Sequence, residues 1–250
     1  MKAFATILFM VFCTLVSGQK QVIHQQQIWY KYYLKIPIGD QWQIRQELDD
    51  RNYTDPARQS QFLTRTHFQR NLGKGWSTAL GFAYFVHSLP QNPEIQDFYN
   101  QSELRPSFEV ANLNTLSEKF HLHHRYWTEF RFFQQPDHTY LYNNIRVRYK
   151  IELGYELSEK FSFLVYDELH INLGSKITYN VFDQNRIGAS IMYSPVKNIG
   201  FELMYINWFQ QTTTGETFYD RNIIRFALHQ TLPIFKRQRG EVKEQITEKT

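Results

Sequence analysis

Apolar and polar residues alternate with a period of two through most of this chain, most clearly in residues 184–210. One face of this segment carries Ile187, Ala189, Ile191 and Tyr193 before a break at residues 194–198, and Ile199, Phe201, Leu203, Tyr205 and Phe209 after it. Only a pleated strand turns a period of two into one apolar and one mixed face. The break contains Pro195 and Asn198, residues typical of tight turns. Each arm has about ten residues or more, enough to cross a bilayer when tilted. The segment therefore predicts a long amphipathic β-hairpin.

The same alternation recurs along the chain and predicts eleven strands in all. The other segments are residues 28–36, 41–49, 61–71, 76–87, 106–115, 119–133, 141–155, 161–172 and 220–231. In residues 76–87 the face opposite the apolar one holds Ser77, Ala79, Gly81 and Ala83, which leave room inside a closed sheet. Polar loops are expected at residues 50–60 and 88–105.

The lengths of the predicted connections also alternate. Connections after odd-numbered strands are short, whereas most of those after even-numbered strands are longer and more polar. Outer-membrane barrels show this contrast between periplasmic turns and external loops, and a water-soluble meander has no reason to show it. We therefore predict an all-β fold, an antiparallel up-and-down transmembrane β-barrel of about 10–12 strands. A soluble lipocalin-like barrel or a sandwich is the alternative.

The odd number of strands conflicts with the even numbers of single-chain bacterial barrels. Two solutions follow from the sequence. Either ten strands close the barrel and residues 28–36 lie elsewhere, or residues 19–27 contribute a short twelfth strand.

The first eighteen residues have the pattern of a secretory signal peptide. Lys2 precedes an apolar run at residues 3–16, and Val16-Ser17-Gly18 is a small-residue cleavage site. We expect residues 1–18 to be removed, residues 19–235 to form the barrel, and residues 236–250 to be a charged, disordered tail. Cys13, the single cysteine, falls in the signal peptide, so the exported protein is expected to contain no disulfide.

Composition supports a barrel in the outer membrane. Aromatic residues make up 17% of the chain, as suits belts at two water–lipid interfaces. No segment after the signal peptide is apolar over the roughly 18 residues that indicate a spanning helix. The net charge of +4 is mild and dispersed, which argues against a nucleic-acid partner. The expected partners are the lipid bilayer and the barrel-assembly machinery.

Five segments resemble a known family when taken in order. They are ELRPSFE (103–109), HHRYWTEFRF (123–132), IRVRYK (145–150), YDELHINL (166–173) and QNRIGASIMY (184–193). Together they resemble the domain of unknown function 2490 family, predicted outer-membrane barrels found mainly in Bacteroidetes. The resemblance covers roughly residues 28–235 and implies a fold and a location, but no reaction and no catalytic residue.

Strand parity directs a dense set of charges into the barrel. The predicted interior charge network comprises Glu109, Arg125, Glu129, Arg131, Arg146, Arg148, Glu168 and Arg186, with Glu152, Glu202 and Arg225 on the same side. Folding the hairpins at their turns predicts Glu109 opposite Arg125, Arg148 opposite Glu168, and Glu129 level with Arg146. One interpretation is a narrow interior filled by paired charges, with a structural or interaction role. The alternative is a small-solute channel that favours anions because arginine is in excess.

Catalysis and metal binding have weaker support in the sequence. Outward-facing His124, near Tyr126 and Thr128, is a candidate for an outer-membrane lipid hydrolase, but the chain lacks a glycine-flanked His and Ser motif. His121 and His123 share a face, yet zinc needs three or four ligands. We expect a protein that is not an enzyme and that has no cofactor and no metal. Its activity, oligomeric state and any transported solute stay open at this point.

Overall fold

A computed structural model describes residues 20–233, which form eleven β-strands in one closed barrel. The predicted signal peptide and tail lie outside the described residues, as do Gln19 and residues 234–235. Every strand pairs with its neighbours in chain order, and the first closes the barrel against the last. The strands are β1 (Gln21–Ile38), β2 (Trp42–Thr54), β3 (Ala57–Gly73), β4 (Trp76–Leu89), β5 (Tyr99–Thr115), β6 (Phe120–Gln134), β7 (Tyr140–Glu156), β8 (Phe161–Leu173), β9 (Phe182–Val196), β10 (Ile199–Gln211) and β11 (Thr217–Thr231).

The period of two separates an inner from an outer surface on each strand. In β4, Ala79 and Ala83 are buried and face inward, whereas Leu80 and Phe82 are exposed on the outer surface. The room left inside by a small residue is filled from the next strand. A Cβ at Gly81 would lie 2.4 Å from the ring of His67, so the missing side chain lets this imidazole fold over β4.

Both proposed solutions for the strand count are wrong. Residues 28–36 lie in the barrel, and residues from Gln21 onward extend the same strand instead of forming a twelfth. An odd number of alternating strands makes the first and last run in the same direction, so β1 pairs with β11 in parallel, from Gln21 opposite Thr217 to Lys35 opposite Thr231. All other neighbouring pairs are antiparallel, as predicted. A barrel closes when the backbone groups at the edges of its first and last strands form hydrogen bonds with each other. A parallel pair of strands provides these hydrogen bonds as an antiparallel pair does.

The two ends of the barrel differ in their connections. The short-turn end carries residues 39–41, 74–75, 116–119, 157–160 and 197–198, and the long-loop end carries residues 55–56, 90–98, 135–139, 174–181 and 212–216. The predicted loop at residues 50–60 is wrong, because only residues 55–56 leave the sheet there. This segment reads as polar because its side chains bond inside the barrel, as Arg51 does to Asp49 and Gln61. The predicted loop at residues 88–105 likewise shrinks to residues 90–98.

Aromatic pairs lie on the outer surface near both ends. Near the short turns the ring centroids of Trp42 and Phe68 are 4.6 Å apart, and those of Phe161 and Tyr193 are 4.9 Å apart. Near the long loops the ring centroids of Phe132 and Tyr142 are 5.6 Å apart. Exposed aliphatic and aromatic side chains occupy the surface between these pairs, including Leu80, Phe108, Ile187, Leu203 and Phe226. An apolar band between two aromatic girdles is typical of transmembrane barrels.

Polar side chains interrupt the outer surface of β8 to β11 toward the long-loop end, and they bond one another. Asn207 Nδ2 donates to Asp220 Oδ1 at 2.7 Å, and Tyr205 Oη donates to Asn222 Oδ1 at 2.5 Å. These outward polar groups therefore have partners on neighbouring strands.

Within the described residues, no helix has the length and apolarity that crossing a membrane would require.

Candidate functional site

Glu168 on β8 is the centre of the ionic network inside the barrel. Its Oε1 accepts from Arg148 Nη2 at 2.8 Å and from Arg125 Nη2 at 2.6 Å, while its Oε2 lies 3.2 Å from His170 Nε2. The predicted register was wrong by two residues, because Lys150 lies opposite Glu168 and Arg148 lies opposite His170. Arg148 still reaches the carboxylate because a long side chain spans the diagonal between neighbouring strands.

Glu129 lies level with Arg146, as the sequence predicted, but the two side chains do not form the main contact. The carboxylate of Glu129 lies 3.4 Å from Arg148, 3.7 Å from Arg105 and 3.9 Å from Arg65. Arg146 instead pairs with Asp183 of β9 at 3.0 Å. Backbone register therefore places residues at one level but does not select their ionic partners.

Glu109 is not paired with Arg125, and the predicted juxtaposition is wrong. The β5–β6 register places Trp127 opposite Glu109 and Arg125 opposite Ala111. Glu109 Oε1 accepts instead from Arg45 Nη2 of β2 at 2.6 Å. The partner comes from a strand that is not a neighbour of β5, so hairpin folding alone does not reveal it.

Arg131 belongs to a second cluster, centred on Glu103 of β5. Glu103 is fully buried, and its Oε1 accepts from Arg105 Nε at 2.6 Å and from Arg131 Nε at 2.5 Å. His87 Nε2 lies 2.8 Å from Glu103 Oε2. Glu103 and Arg105 were not predicted as part of the network, because residues 88–105 were expected to form a loop. The signal was the alternation of Glu103, Arg105, Ser107 and Glu109 with Leu104 and Phe108, interrupted by Pro106.

Arg186 is the member of the predicted network that has no carboxylate partner. No carboxylate of the described residues lies within 4.0 Å of its guanidinium, which instead lies over the ring of Trp208 at 4.4 Å and that of Trp29 at 5.6 Å. Glu168 lies directly opposite Arg186 on β8, but Arg125, Arg148 and His170 already contact this carboxylate.

Trp127 lies among three guanidinium groups in the interior. The centres of Arg148, Arg65 and Arg125 are 4.2, 4.5 and 4.8 Å from the centroid of its ring. Cations over an aromatic face are attracted by its quadrupole. The ring therefore helps to hold together a group of like charges.

A chamber of about 690 Å³ occupies the barrel from the short-turn end to its middle. Trp29, Tyr166, Met204 and Ile206 form an apolar wall on the side of β8 to β1. Among the described residues that line the chamber, twelve are arginine or lysine and six are aspartate or glutamate. The chamber is therefore cationic on balance and also partly apolar.

Side chains and a loop fill the barrel at its long-loop end. The backbone carbonyl of Gln91, in the loop of residues 90–98, accepts from Gln25 Nε2 at 2.7 Å and from Tyr53 Oη at 3.0 Å. Arg221 Nη2 donates to Gln91 Oε1 at 2.9 Å. Arg221 and Glu103 are at most 1% exposed, so the interior here is packed. The chamber is consequently closed toward the long loops.

The histidines considered for catalysis and metal binding lie on both faces of β6, with His121 and His123 on the inner face and His124 on the outer one. His124 lies on the outer surface with its Nδ1 2.9 Å from Tyr149 Oη, and neither Tyr126 nor Thr128 bonds to it. His123 points inward, 3.7 Å from Glu152. Across residues 20–233, no group of three or more His, Cys, Asp or Glu side chains is arranged to hold a metal ion.

Comparison with known proteins supports the fold and shows the family. No curated protein sequence matches the chain. Among solved structures, a chain described as the NanC porin in a rhombohedral crystal form is similar, with a TM-score of 0.51 and 10% identity, over 82% of this chain and 98% of that one. At this identity the likeness is one of fold. The family model described as protein of unknown function, DUF2490, matches residues 26–219. The match spans most of the barrel and confirms the resemblance seen in the sequence, so the chain belongs to the DUF2490 family.

Proposed function

We propose that the chain is an integral outer-membrane β-barrel protein whose salt-bridged interior is closed at one end, rather than an open pore. The observation that carries this proposal is the packed long-loop end, where Gln91 and Arg221 bond across the lumen. The short turns face the periplasm and the long loops face the exterior, following the usual orientation of such barrels. The chamber then opens toward the periplasm.

The outer surface supports the membrane location. Leu80 is 66% exposed and Phe226 is 47% exposed, and both belong to an apolar band that water would disfavour. The lipid bilayer is therefore the main partner that we propose, with the barrel-assembly machinery as the partner during insertion.

The membrane location is tested by washing membranes from producing cells with alkaline carbonate. The protein should stay in the pellet and should migrate anomalously on a gel when unheated. Its release by the wash would refute a membrane location.

Closure of the barrel is tested by electrical recording. The purified wild-type protein should conduct no current in planar bilayers, because Gln91 and Arg221 bond across the lumen beyond the chamber. Stable open steps in the unmodified protein would contradict the closed interior and would favour a channel.

An anion-favouring channel is the second candidate, and the excess of basic over acidic residues in the chamber favours it. A lumen lined by arginine and lysine attracts anions and repels cations. This reading requires the long-loop end to open. Any current that appears should then be carried mainly by chloride in a potassium chloride gradient.

We also infer a non-catalytic role. The lipid-hydrolase alternative needs a nucleophile activated by a base, and His124 contacts a tyrosine instead. Hydrolysis of detergent-dispersed phospholipid by the wild type, with its loss in His124→Asn, would overturn this inference.

A further inference from the structure

Arg186 is a positive charge inside the barrel, and no carboxylate of the described residues lies within 4.0 Å of its guanidinium. We propose that Arg186 is the binding residue for a monocarboxylate with an aromatic or apolar body, which enters the chamber from the short-turn end. The inference rests on the closed chamber of the proposed function, and it assigns that chamber a ligand class.

Neighbouring arginines show why Arg186 is different. Arg51 pairs with Asp49 at 2.8 Å, and Arg148 pairs with Glu168 at the same distance. Glu168 is the carboxylate nearest to Arg186 in the register, but its oxygens already serve other partners. Among the arginines of the predicted network, Arg186 is therefore the one without a carboxylate within 4.0 Å in the described residues. A ligand with a single negative charge would balance it.

The guanidinium of Arg186 donates no hydrogen bond within the described part of the chain. Arg186 lines the chamber, and its Nε is buried without a hydrogen-bond partner within the described part of the chain. A buried donor without a partner costs free energy, so a ligand that accepts from it is favoured. The planar fork of a guanidinium matches the two oxygens of a carboxylate.

The wall beside Arg186 selects the body of the ligand. The rings of Trp29 and Trp208 meet edge to face with their centroids 5.8 Å apart, and Tyr166, Met204 and Ile206 continue the apolar surface. Gly188 makes this wall possible, because a Cβ there would lie 2.5 Å from Cε1 of Tyr166. Burying an aromatic or aliphatic body against this surface contributes favourable binding free energy, whereas an inorganic anion has no apolar surface to bury.

The size of the chamber agrees with a small organic ligand. Its volume of about 690 Å³ lies within the roughly 300–1,000 Å³ of sites for small molecules. A chamber with apolar walls and a few polar groups that fix orientation is the usual composition of such sites.

Benzoate is a suitable probe, because it joins one carboxylate to one ring. Binding to the purified barrel in detergent micelles would be followed by calorimetry and by tryptophan fluorescence, since Trp29 and Trp208 flank the guanidinium. We expect saturable binding of benzoate, and much weaker binding of methyl benzoate, inorganic phosphate and chloride. In Arg186→Gln the affinity for benzoate should fall about tenfold or more, as expected when a charge-assisted hydrogen bond is lost.

Lys35→Gln is the matched control, because Lys35 also lines the chamber, at its mouth, and the substitution removes the same charge. The affinity of this variant should stay near that of the wild type. An equal loss in both variants would mean that benzoate responds only to the general positive field, and the proposal would fall.

If Arg186→Gln does not fold, measurements on the wild type alone still test whether the chamber binds a carboxylate. Methyl benzoate has the same ring without the charge, so equal binding of ester and acid would refute a carboxylate site. Absence of benzoate binding by the folded barrel would refute the ligand but leave the membrane location intact, because the micelle assay does not depend on that location. Release from membranes by carbonate would refute the location alone.

Discussion

Adjacent side chains on one strand of this barrel meet opposite environments. Ala79 is 2% exposed and faces the interior, while Leu80 beside it is 66% exposed on the outer surface. A charged side chain at the outer position should lower the free energy of unfolding. At the inner position, the size of the side chain is limited by the space that neighbouring side chains leave. Substitutions one residue apart should therefore differ sharply in their effect.

Leu80→Arg tests the outer surface. A charge near the bilayer midplane should reduce the free energy of unfolding by about 2–4 kcal/mol. The matched control is Leu116→Arg, since Leu116 is similarly exposed but lies in the turn of residues 116–119. Unfolding by denaturant in lipid vesicles gives both values. Equal losses in the two variants would show that Leu80 does not face lipid.

Glu168 and Arg148 test the interior network. Glu168→Gln should cost about 3–5 kcal/mol, because it removes the carboxylate that Arg125 and Arg148 share and leaves Arg148 with only Glu129, at 3.4 Å. Arg148→Met should cost less, since Glu168 keeps its bond to Arg125. The double variant should recover part of the loss, and the coupling energy from the four unfolding curves measures the pair.

The pair of Arg45 and Glu109 is the control for that cycle. Among the described residues, Arg45 and Glu109 are each other's only ion-pair partner, at 2.6 Å across the lumen. Arg45→Met and Glu109→Gln should therefore cost similar amounts, unlike the unequal costs at Arg148 and Glu168. Strictly additive losses in both cycles would mean that these groups are solvated independently.

Sequence parity predicted on which side each charge lies, but not its partner. Glu109, Arg146 and Glu168 all face inward, as alternation requires. Their partners depend on the stagger of the strands and on contacts across the lumen, as between Glu109 and Arg45. These distances are properties of the closed barrel and are not encoded in any single hairpin. The missing partner of Arg186 was invisible for the same reason.

At the level of strands, the parallel pairing of β1 with β11 decides where the chain enters the barrel. β1 begins at the long-loop end and β11 finishes at the short-turn end. The start of β1 was missed in the sequence because its outer face carries His24 and Gln26 rather than apolar residues. Its inner face, with Gln25, Gln27 and Trp29, is buried in the packed end of the lumen.

Cysteine labelling of intact cells tests this arrangement. In a Cys13→Ser background, Lys20→Cys and Glu94→Cys should both react with a membrane-impermeant maleimide, because both lie at the long-loop end. Glu159→Cys, in the turn of residues 157–160, should react only after the outer membrane is permeabilised. Protection of Lys20→Cys together with Glu159→Cys would contradict the parallel closure.

At the scale of the whole molecule, the sequence predicts the outer surface of the barrel more fully than it predicts the lumen. Alternation and turn lengths were sufficient to predict a closed β-barrel, because every strand must present one apolar face. Closure of the lumen depends on residues 90–98, whose fold is set by bonds to distant strands, such as that of Arg58 Nη2 to the carbonyl of Pro90 at 2.7 Å. A loop that gains its structure from the barrel leaves no periodic signal in the sequence.

Replacing residues 91–97 with glycine and serine tests whether this loop closes a cationic lumen. The replacement removes the Gln91 side chain that accepts from Arg221, and it makes the backbone whose carbonyl accepts from Gln25 and Tyr53 more flexible. It leaves the excess of basic residues in the chamber unchanged. We expect discrete current steps in planar bilayers, with a reversal potential displaced toward that of chloride, because basic residues outnumber acidic ones along the chamber. The same replacement of residues 136–138, whose loop is bonded mainly within itself, should leave the barrel closed. If the barrel stays closed in both variants, the side chains around Glu103 seal the lumen and the loop does not. A cation-selective current would show that the excess of basic residues in the chamber does not determine the selectivity.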